Sequence, residues 1–551
     1  MNRRSFLLTG LSAVGAIAWS GCSGNGDGPA GSRPVLRIVG VGGDWGFPSP
    51  FAAVGGPGYW RMSYLYDTLV WKDGSGELLP WLAESFERSD DDLTYRFRLR
   101  EGLTWSDGVP LSADDVAFTF EYFSRQSLAP FVLARPRRAP EVVTTGNLVE
   151  FHLTSPDVTF SDLVGGAVPI VPRHIWEGID DAAAVRDENL LVGSGPYRLE
   201  SYSEPEGSYI YMARDDYFLG TPFVERIEMA PVGNQLQALL AGDLSAGEPA
   251  TEGSRPDVLA PFRTEEAFEV IQADPGFTFP LFFNVGRGGA LGDVRFRRAC
   301  ALAIDRNDMV ERLLGGQGSP GSPGFLPPTH PAYVEVEQYG FDLDAANALL
   351  DDAGYLRGDD GARRGPDGQV LAFELLGFGV PFPPSVELVT VALAEIGVEI
   401  TPRAVDGGEF FPRTIFGDYD MAISLFPGPS GGSVDGDPDI LRQVFSSRLG
   451  TGPNRATGYS NPDFDDLAEQ QLQTFDEAQR RELVGRMQEI LAADVPVLAL
   501  YYPTRFFIFR PEIFDAWYFT PGGFATGIPE TYNKHAFVTG ARLGLEVRSS
   551  D

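Results

Sequence analysis

The sequence predicts an α/β protein built from more than one globular unit. Short strands with alternating apolar residues and amphipathic helices succeed one another along the whole chain. No segment repeats at a solenoid period. With 551 residues, 43% of them hydrophobic, the chain exceeds one ordinary core and can fill several.

The first element is "MNRRSFLLTGLSAVGAIAWSGC". Arg3 and Arg4 precede a mildly apolar run from Phe6 to Trp19, shorter than the ~20 residues of a spanning helix. With Ser20, Gly21 and Cys22 it resembles a twin-arginine export signal ending in a lipobox, which makes Cys22 the residue lipidated after cleavage. Trp19 stands where a lipobox carries an aliphatic residue. Residues 23–34, "SGNGDGPAGSRP", read as a flexible tether, and two acyl chains on Cys22 suffice for stable anchoring. Only Cys300 then remains, so no intrachain disulfide is expected. In "DVRFRRACALAIDR" it shares a helical face with Phe296, Ala299 and Ala303, as a small buried residue would.

"PVLRIV" (Pro34 to Val39) reads as the first strand, followed by a Gly/Pro/aromatic loop from Gly40 to Tyr59. In "LTYRFRLREG", Leu93, Tyr95, Phe97 and Leu99 face one way, the pattern of a half-buried strand. "GLTWSDGVPLSADDVAFTFEYF" gathers Asp107, Asp114 and Asp115 around Trp105, yet each has a structural reading. "SDG" is a turn, Ser112 and Asp115 form a capping box, and Asp114 and Asp115 suit the positive end of the helix dipole. Val116, Phe120 and Phe123 give that helix its apolar face. Farther on, Asp305 caps a helix carrying Met309, Val310, Leu313 and Leu314 and stopped by Gly315-Gly316. Leu483, Met487, Ile490 and Leu491 repeat the pattern near the C-terminus. No run beyond the signal is long enough to span a membrane, so the mature body is expected to be soluble outside the cell.

The net charge is −34, from 77 acidic and 43 basic residues, and Lys72 and Lys534 are the only lysines. That sign excludes a nucleic-acid binder. Spread along the chain rather than concentrated, the acidity resembles that of proteins soluble in concentrated salt, where the Debye length falls to roughly 3 Å near 1 M.

"LLPWLAESFERSDDDLTYRFRLREGLTWSDGVPLSADDVAFTFEYF" closely resembles the N-lobe signature of extracytoplasmic solute-binding family 5, the dipeptide, oligopeptide and nickel binding proteins of ABC importers. "VGSGPYRLESY", "RDDYFLGTPFVERI", "LFFNVGRGGALGDVRFRRACALAIDRNDMVERLLGG", "YGFDLDAANALLDDAGY", "GDYDMAISLF" and "GYSNPDFDDLAEQQ" continue the resemblance in order over almost the whole mature chain. It implies a two-lobed periplasmic-binding-protein-like fold (type II, cluster C-like): a signal at 1–22, a tether at 23–34, lobe I at 35–280 plus 501–551 with a subdomain inserted at about 69–192, and lobe II at 281–500. It further implies a lipid-anchored monomer on the outer face of the cytoplasmic membrane, without cofactor or enzymatic activity. Such a protein captures a small solute, an oligopeptide first, and delivers it to a permease driven by separate ATPase subunits. An oligosaccharide, a chelated metal or a role as a sensor's surface receptor are variants of the same reading.

Two stretches are candidate walls for that solute. Trp45, Phe47, Tyr59 and Trp60 lie in the loop after the first strand, at the expected carboxyl edge of a sheet, where ligands of open α/β sheets bind. Such aromatics suit sugars as well as peptide side chains. In the second stretch, Phe426 to Asp439, the resemblance assigns Asp435, followed by Asp437-Pro438, to a ligand's α-amino group. Phe426 and Pro427 stand in place of the family's tryptophan, and the spacing is one residue short. Ser430 sits in "GPSGG", a literal G-x-S-x-G with His535 as the only later histidine, which keeps a serine hydrolase as an alternative. The glycine- and proline-rich "GGSVDGDPD" after it is no helix start and favours a flexible ligand-facing loop. His152, His174, His330 and His535 are too far apart in sequence to form a metal motif, and "DGDPD" lacks the glycine of a calcium loop, so no metal site is expected. No P-loop is present, because no lysine follows a suitable glycine.

Overall fold

The computed structural model describes residues 33–39, 43–53, 55–72, 77–126, 140–249, 255–273, 278–379, 384–405, 407–423, 437–449, 457–519 and 534–541. Val35–Ile38 buries Leu36 and Ile38 and pairs in parallel with Arg226–Met229; Ser208–Ala213 and Tyr197–Ser203 extend this sheet antiparallel. A second sheet takes Arg505–Phe509, from near the C-terminus, between Ala246–Gly247 and Glu269–Ala273. The chain therefore returns to the lobe where it began.

Within the sequence of this first lobe, Ala83–Arg88, Thr94–Leu99, Leu148–His152 and Glu141–Thr145 form a separate antiparallel sheet. Tyr95, Phe97 and Leu99 point inward as their alternation requires, and helix Ala113–Arg125 covers them, with Phe120 and Phe151 ring centroids 4.9 Å apart. The three aspartates at this helix's entrance are all engaged. Asp107 accepts from the Val109 N–H at 3.0 Å and lies 2.8 Å from His174 Nε2. Asp114 accepts from the Thr144 hydroxyl at 3.0 Å. One oxygen of Asp115 closes the capping box on the Ser112 N–H at 2.9 Å, and the other takes the Arg173 N–H at 3.0 Å. Trp105 is completely enclosed.

The second lobe is a five-stranded sheet in the order Glu399–Val405, Ala372–Phe378, Met421–Ile423, Pro280–Phe283, Val497–Ala499. Its first three strands are parallel and Pro280–Phe283 opposes both neighbours. Both faces are buried. Leu375, Met421 and Ile423 meet helices Val294–Ala303, Arg306–Leu314, Leu343–Asp352 and Pro384–Glu395, whereas Leu376 and Ala422 meet Ile440–Phe445, Pro462–Leu472 and Glu477–Asp494. Cys300 is enclosed on the first of these faces, and burial pushes its thiol well above the ordinary range. The Asp305 carboxylate accepts from the Asp308 N–H at 3.0 Å, and Gly315 ends that helix in the left-handed region.

The sequence reading differs from the structure at the loop after the first strand. Helix Gly55–Ser63 begins before Tyr59, because Pro57 in a first turn gives up an N–H that needs no helical partner. Gly58 serves close approach there: a Cβ would meet the Trp45 carbonyl oxygen at 2.5 Å. Among the described residues no helix is long and apolar enough to cross a membrane.

Candidate ligand-binding site

The loop leaving the first strand is fixed by tyrosines from the Tyr197–Ser203 and Ser208–Ala213 hairpin. The Tyr209 hydroxyl accepts from the Trp45 N–H at 3.0 Å and lies 2.9 Å from both Asp44 Oδ1 and the Gly46 carbonyl oxygen. The Tyr202 hydroxyl donates to the same Asp44 oxygen at 2.8 Å, and the Gly46 N–H also reaches it, at 3.2 Å. Burial first, and then Asp44, push the Tyr202 hydroxyl above its ordinary range, so it stays a donor. Gly207, at φ 61°, allows the hairpin turn to touch this loop; a Cβ would meet the Gly43 carbonyl carbon at 2.5 Å.

The four aromatics of this wall divide into two pairs. Trp45 and Tyr59 are half-buried, and the Tyr59 hydroxyl donates to the Ala167 carbonyl at 2.9 Å. Phe47 and Trp60 are inside, at 1% and 8% exposure, with Phe47 edge-on to Tyr202 at 5.8 Å. The sequence reading passed over Asp44. Its signal was an acid beside a tryptophan in a glycine-rich loop, bonding its own backbone two residues on. This exposed carboxylate, braced on one oxygen by two hydroxyls beside Trp45, is suited to a cationic group.

On the second lobe, Phe426, Ser430 and Asp435 lie outside the described residues, as does Cys22. The residues on either side of that segment are described. Met421–Ile423 leads in from the centre of the sheet, and Asp437 and Asp439 lead out into helix Ile440–Phe445. Neither of these acids is available to a ligand amine. Asp437 takes both terminal nitrogens of Arg480, at 2.6 and 2.9 Å. Asp439, fully buried, takes two Arg442 nitrogens at 2.6 Å, Gln471 Nε2 at 2.6 Å and Gln443 Nε2 at 3.0 Å.

The histidines are dispersed. His152 lies 3.2 Å from the Thr94 hydroxyl, His174 meets Asp107, and His330 Nδ1 accepts from the Ala332 N–H at 2.9 Å. His535 is buried in the first lobe with Nδ1 2.7 Å from the Tyr518 hydroxyl, whereas a serine-hydrolase triad sets a carboxylate against that atom. Among the described residues no group of three or more His, Cys, Asp or Glu is arranged to hold a metal ion.

The dipeptide-binding protein of Escherichia coli (strain K12) is 25% identical over 485 residues, covering 82% of this chain and 85% of that protein. The crystal structure of NikZ from Campylobacter jejuni in complex with Ni(L-His) matches with a TM-score of 0.75 at 22% identity, covering 92% of this chain and 99% of that one. The oligopeptide-binding protein AppA of Bacillus subtilis, in complex with a nonapeptide, matches with a TM-score of 0.73 at 22% identity, over 87% and 95% of the two chains. The family model for bacterial extracellular solute-binding proteins, family 5, matches residues 77–449. With this family model spanning both lobes, the chain belongs to the bacterial extracellular solute-binding proteins of family 5.

Proposed function

We propose that this protein is the lipid-anchored substrate-binding component of an ABC importer, capturing an oligopeptide between its lobes and delivering it to a membrane permease. The family match, with a relative named for dipeptides aligned over most of both chains, carries this reading. We assign the lobes to about 35–280 with about 501–551 and to about 281–500, with the inserted subdomain at about 69–192. Phe279 and Tyr501–Pro503 pack with the second lobe, so the crossings fall a few residues before 280 and after 501. Solute binding shifts the population toward a closed form that docks on the permease. Asp435 receives the peptide's α-amino group, because Asp437 and Asp439 already hold arginines. Trp45, Tyr59 and Asp44 form the opposite wall, with Phe47 and Trp60 supporting it from behind.

Protein isolated from its own membranes and denatured is expected to release short peptides, read by mass spectrometry, and its N-terminal peptide to carry acylated Cys22. Asp435→Ala is then expected to weaken binding of a released peptide about 30-fold or more. Release of glycans or chelated metal without peptides overturns the peptide reading; an uncleaved N-terminus overturns the anchor.

The charge balance supports a second property, adaptation to concentrated salt. Arginines are drawn into acidic networks, such as Arg413 with Glu374 at 2.5 Å and Glu409 at 3.4 Å, and Arg287 with Asp420 at 2.5 Å. The surplus carboxylates repel unless screened. The unfolding temperature is therefore expected to rise from 0.1 M to molar KCl, and a flat or falling profile would exclude the adaptation.

A further inference from the structure

Among the described residues the chain passes between the cores of the two lobes between Ile271 and Phe279 and again between Tyr502 and Phe506. The lobes also touch through residues in neither passage. Phe475, in the turn joining helices Pro462–Leu472 and Glu477–Asp494 of the second lobe, packs against the first lobe's core. The Arg88 guanidinium, at the end of Ala83–Arg88 in the inserted sheet, lies 3.6 Å from the Phe475 ring centroid and is paired with Asp92. The Val158 N–H donates to the Leu472 carbonyl at 2.9 Å, a backbone hydrogen bond between the lobes.

Val158 is held in place for that bond. The Tyr95 hydroxyl donates to the Asp157 carbonyl at 2.7 Å, and Asp157 Oδ1 accepts from the Thr159 N–H at 2.9 Å and the Thr159 hydroxyl at 2.7 Å. Thr159 is 3% exposed. Across the contact, Asp157 lies within electrostatic reach of Asp439, Arg442 and Arg480. These are the residues that fix the chain leaving the candidate ligand segment, and Gln471 joins them one position before Leu472. The contact thus abuts the network next to the proposed ligand wall while remaining separate from both chain crossings.

We infer that residues 157–159 and Arg88, seated on Leu472 and Phe475, form a closure latch that stabilises the closed arrangement of the lobes independently of the solute. Opening the cleft breaks one backbone hydrogen bond, one cation–π contact and the burial of Phe475. Those terms together are worth about tenfold or more in the closed-to-open ratio. The latch operates whatever solute the cleft takes, so it stands apart from the peptide reading.

Two variants from opposite lobes test it on the ligand-free mature protein, Phe475→Ala and Arg88→Ala. Each is expected to raise the radius of gyration measured by small-angle X-ray scattering and to speed hydrogen exchange at the Val158 amide about tenfold. Amides of the inserted sheet, such as those of Phe97 and Val149, report whether the subdomain itself stays folded. Faster exchange at Val158 with those amides unchanged supports the latch. An unchanged radius and unchanged Val158 exchange in either folded variant overturns it. So does Val158 exchange that rises only together with that of the sheet, because the contact is then a permanent part of the fold.

Discussion

Lys534→Met is expected to lower stability by about 3–5 kcal/mol, the range for removing one partner of a buried ion pair. The Lys534 ammonium and the Asp67 carboxylate are both fully enclosed, 2.8 Å apart. The ammonium also donates to the Ser63 carbonyl at 3.0 Å and lies over the Trp71 ring at 4.1 Å. The other Asp67 oxygen accepts from the Tyr217 hydroxyl at 3.0 Å. Burial pulls the Lys534 pKa down and Asp67 opposes it, so the charge persists only as half of this pair. Replacing the lysine leaves the carboxylate in an apolar pocket with no cation. The pair pins helix Lys534–Thr539 to residues near the start of the first lobe, across 467 positions of sequence. The tryptophans stand at positions 19, 45, 60, 71, 81, 105, 176 and 517, and none falls in the second lobe, so fluorescence during denaturant unfolding isolates the affected lobe. Lys534→Met/Asp67→Leu is expected to regain part of the loss, the remainder reflecting the Tyr217 hydroxyl left without its acceptor. A loss below about 1 kcal/mol for the single variant would mean that the enclosed charge is not supporting this junction.

That pair also marks the limit of what was legible in the sequence. Features with local causes could be read directly. The alternation of Tyr95, Phe97 and Leu99, the cap at Asp305 and the burial of Cys300 each follow from spacings of a few residues. The family and its fold class were readable because the motif blocks run in order along most of the chain. Contacts between distant residues leave no such periodic trace. His174 meets Asp107 from 67 positions away, and Tyr202 meets Asp44 from 158. Local readings also failed where a residue type is ambiguous. "GGPG" has the composition of a breaker yet starts a helix, because proline and glycine are tolerated before helical hydrogen bonding begins. Aromatic residues in a loop looked alike, but only tertiary packing separates Phe47 and Trp60, enclosed, from Trp45 and Tyr59, half-exposed. In "DGDPD" the resemblance singled out Asp435, but no local spacing shows that Asp437 and Asp439 are engaged by arginines from two different helices.

Asp439→Ala is expected to be as damaging to the second lobe as Lys534→Met is to the first, at about 3–5 kcal/mol. Its carboxylate is the common acceptor for Arg442, Gln443 and Gln471, and its removal leaves the Arg442 guanidinium and the fully buried Gln471 amide without their shared acceptor. Asp437 and Arg480 do not replace it, because they already form a two-pronged pair with each other. Asp439→Asn separates charge from shape: it preserves the volume and one acceptor but leaves Arg442 a buried cation without its hydrogen-bonded carboxylate, with Asp157 and Asp437 acting only at longer range, so most of the loss should remain. The double variant Asp439→Ala/Arg442→Met removes both charges and should recover stability relative to Asp439→Ala. Far-UV circular dichroism follows the helices of both lobes, the larger share of which lies in the second, and tryptophan emission follows the first alone. The expected signature is a circular dichroism transition moved to lower denaturant while the tryptophan transition stays in place. Coincident movement of both would mean that the lobes unfold as one cooperative unit. No movement of either would show that Arg442 finds water on losing its partner, and the network next to the proposed ligand wall would then be looser than its enclosure implies.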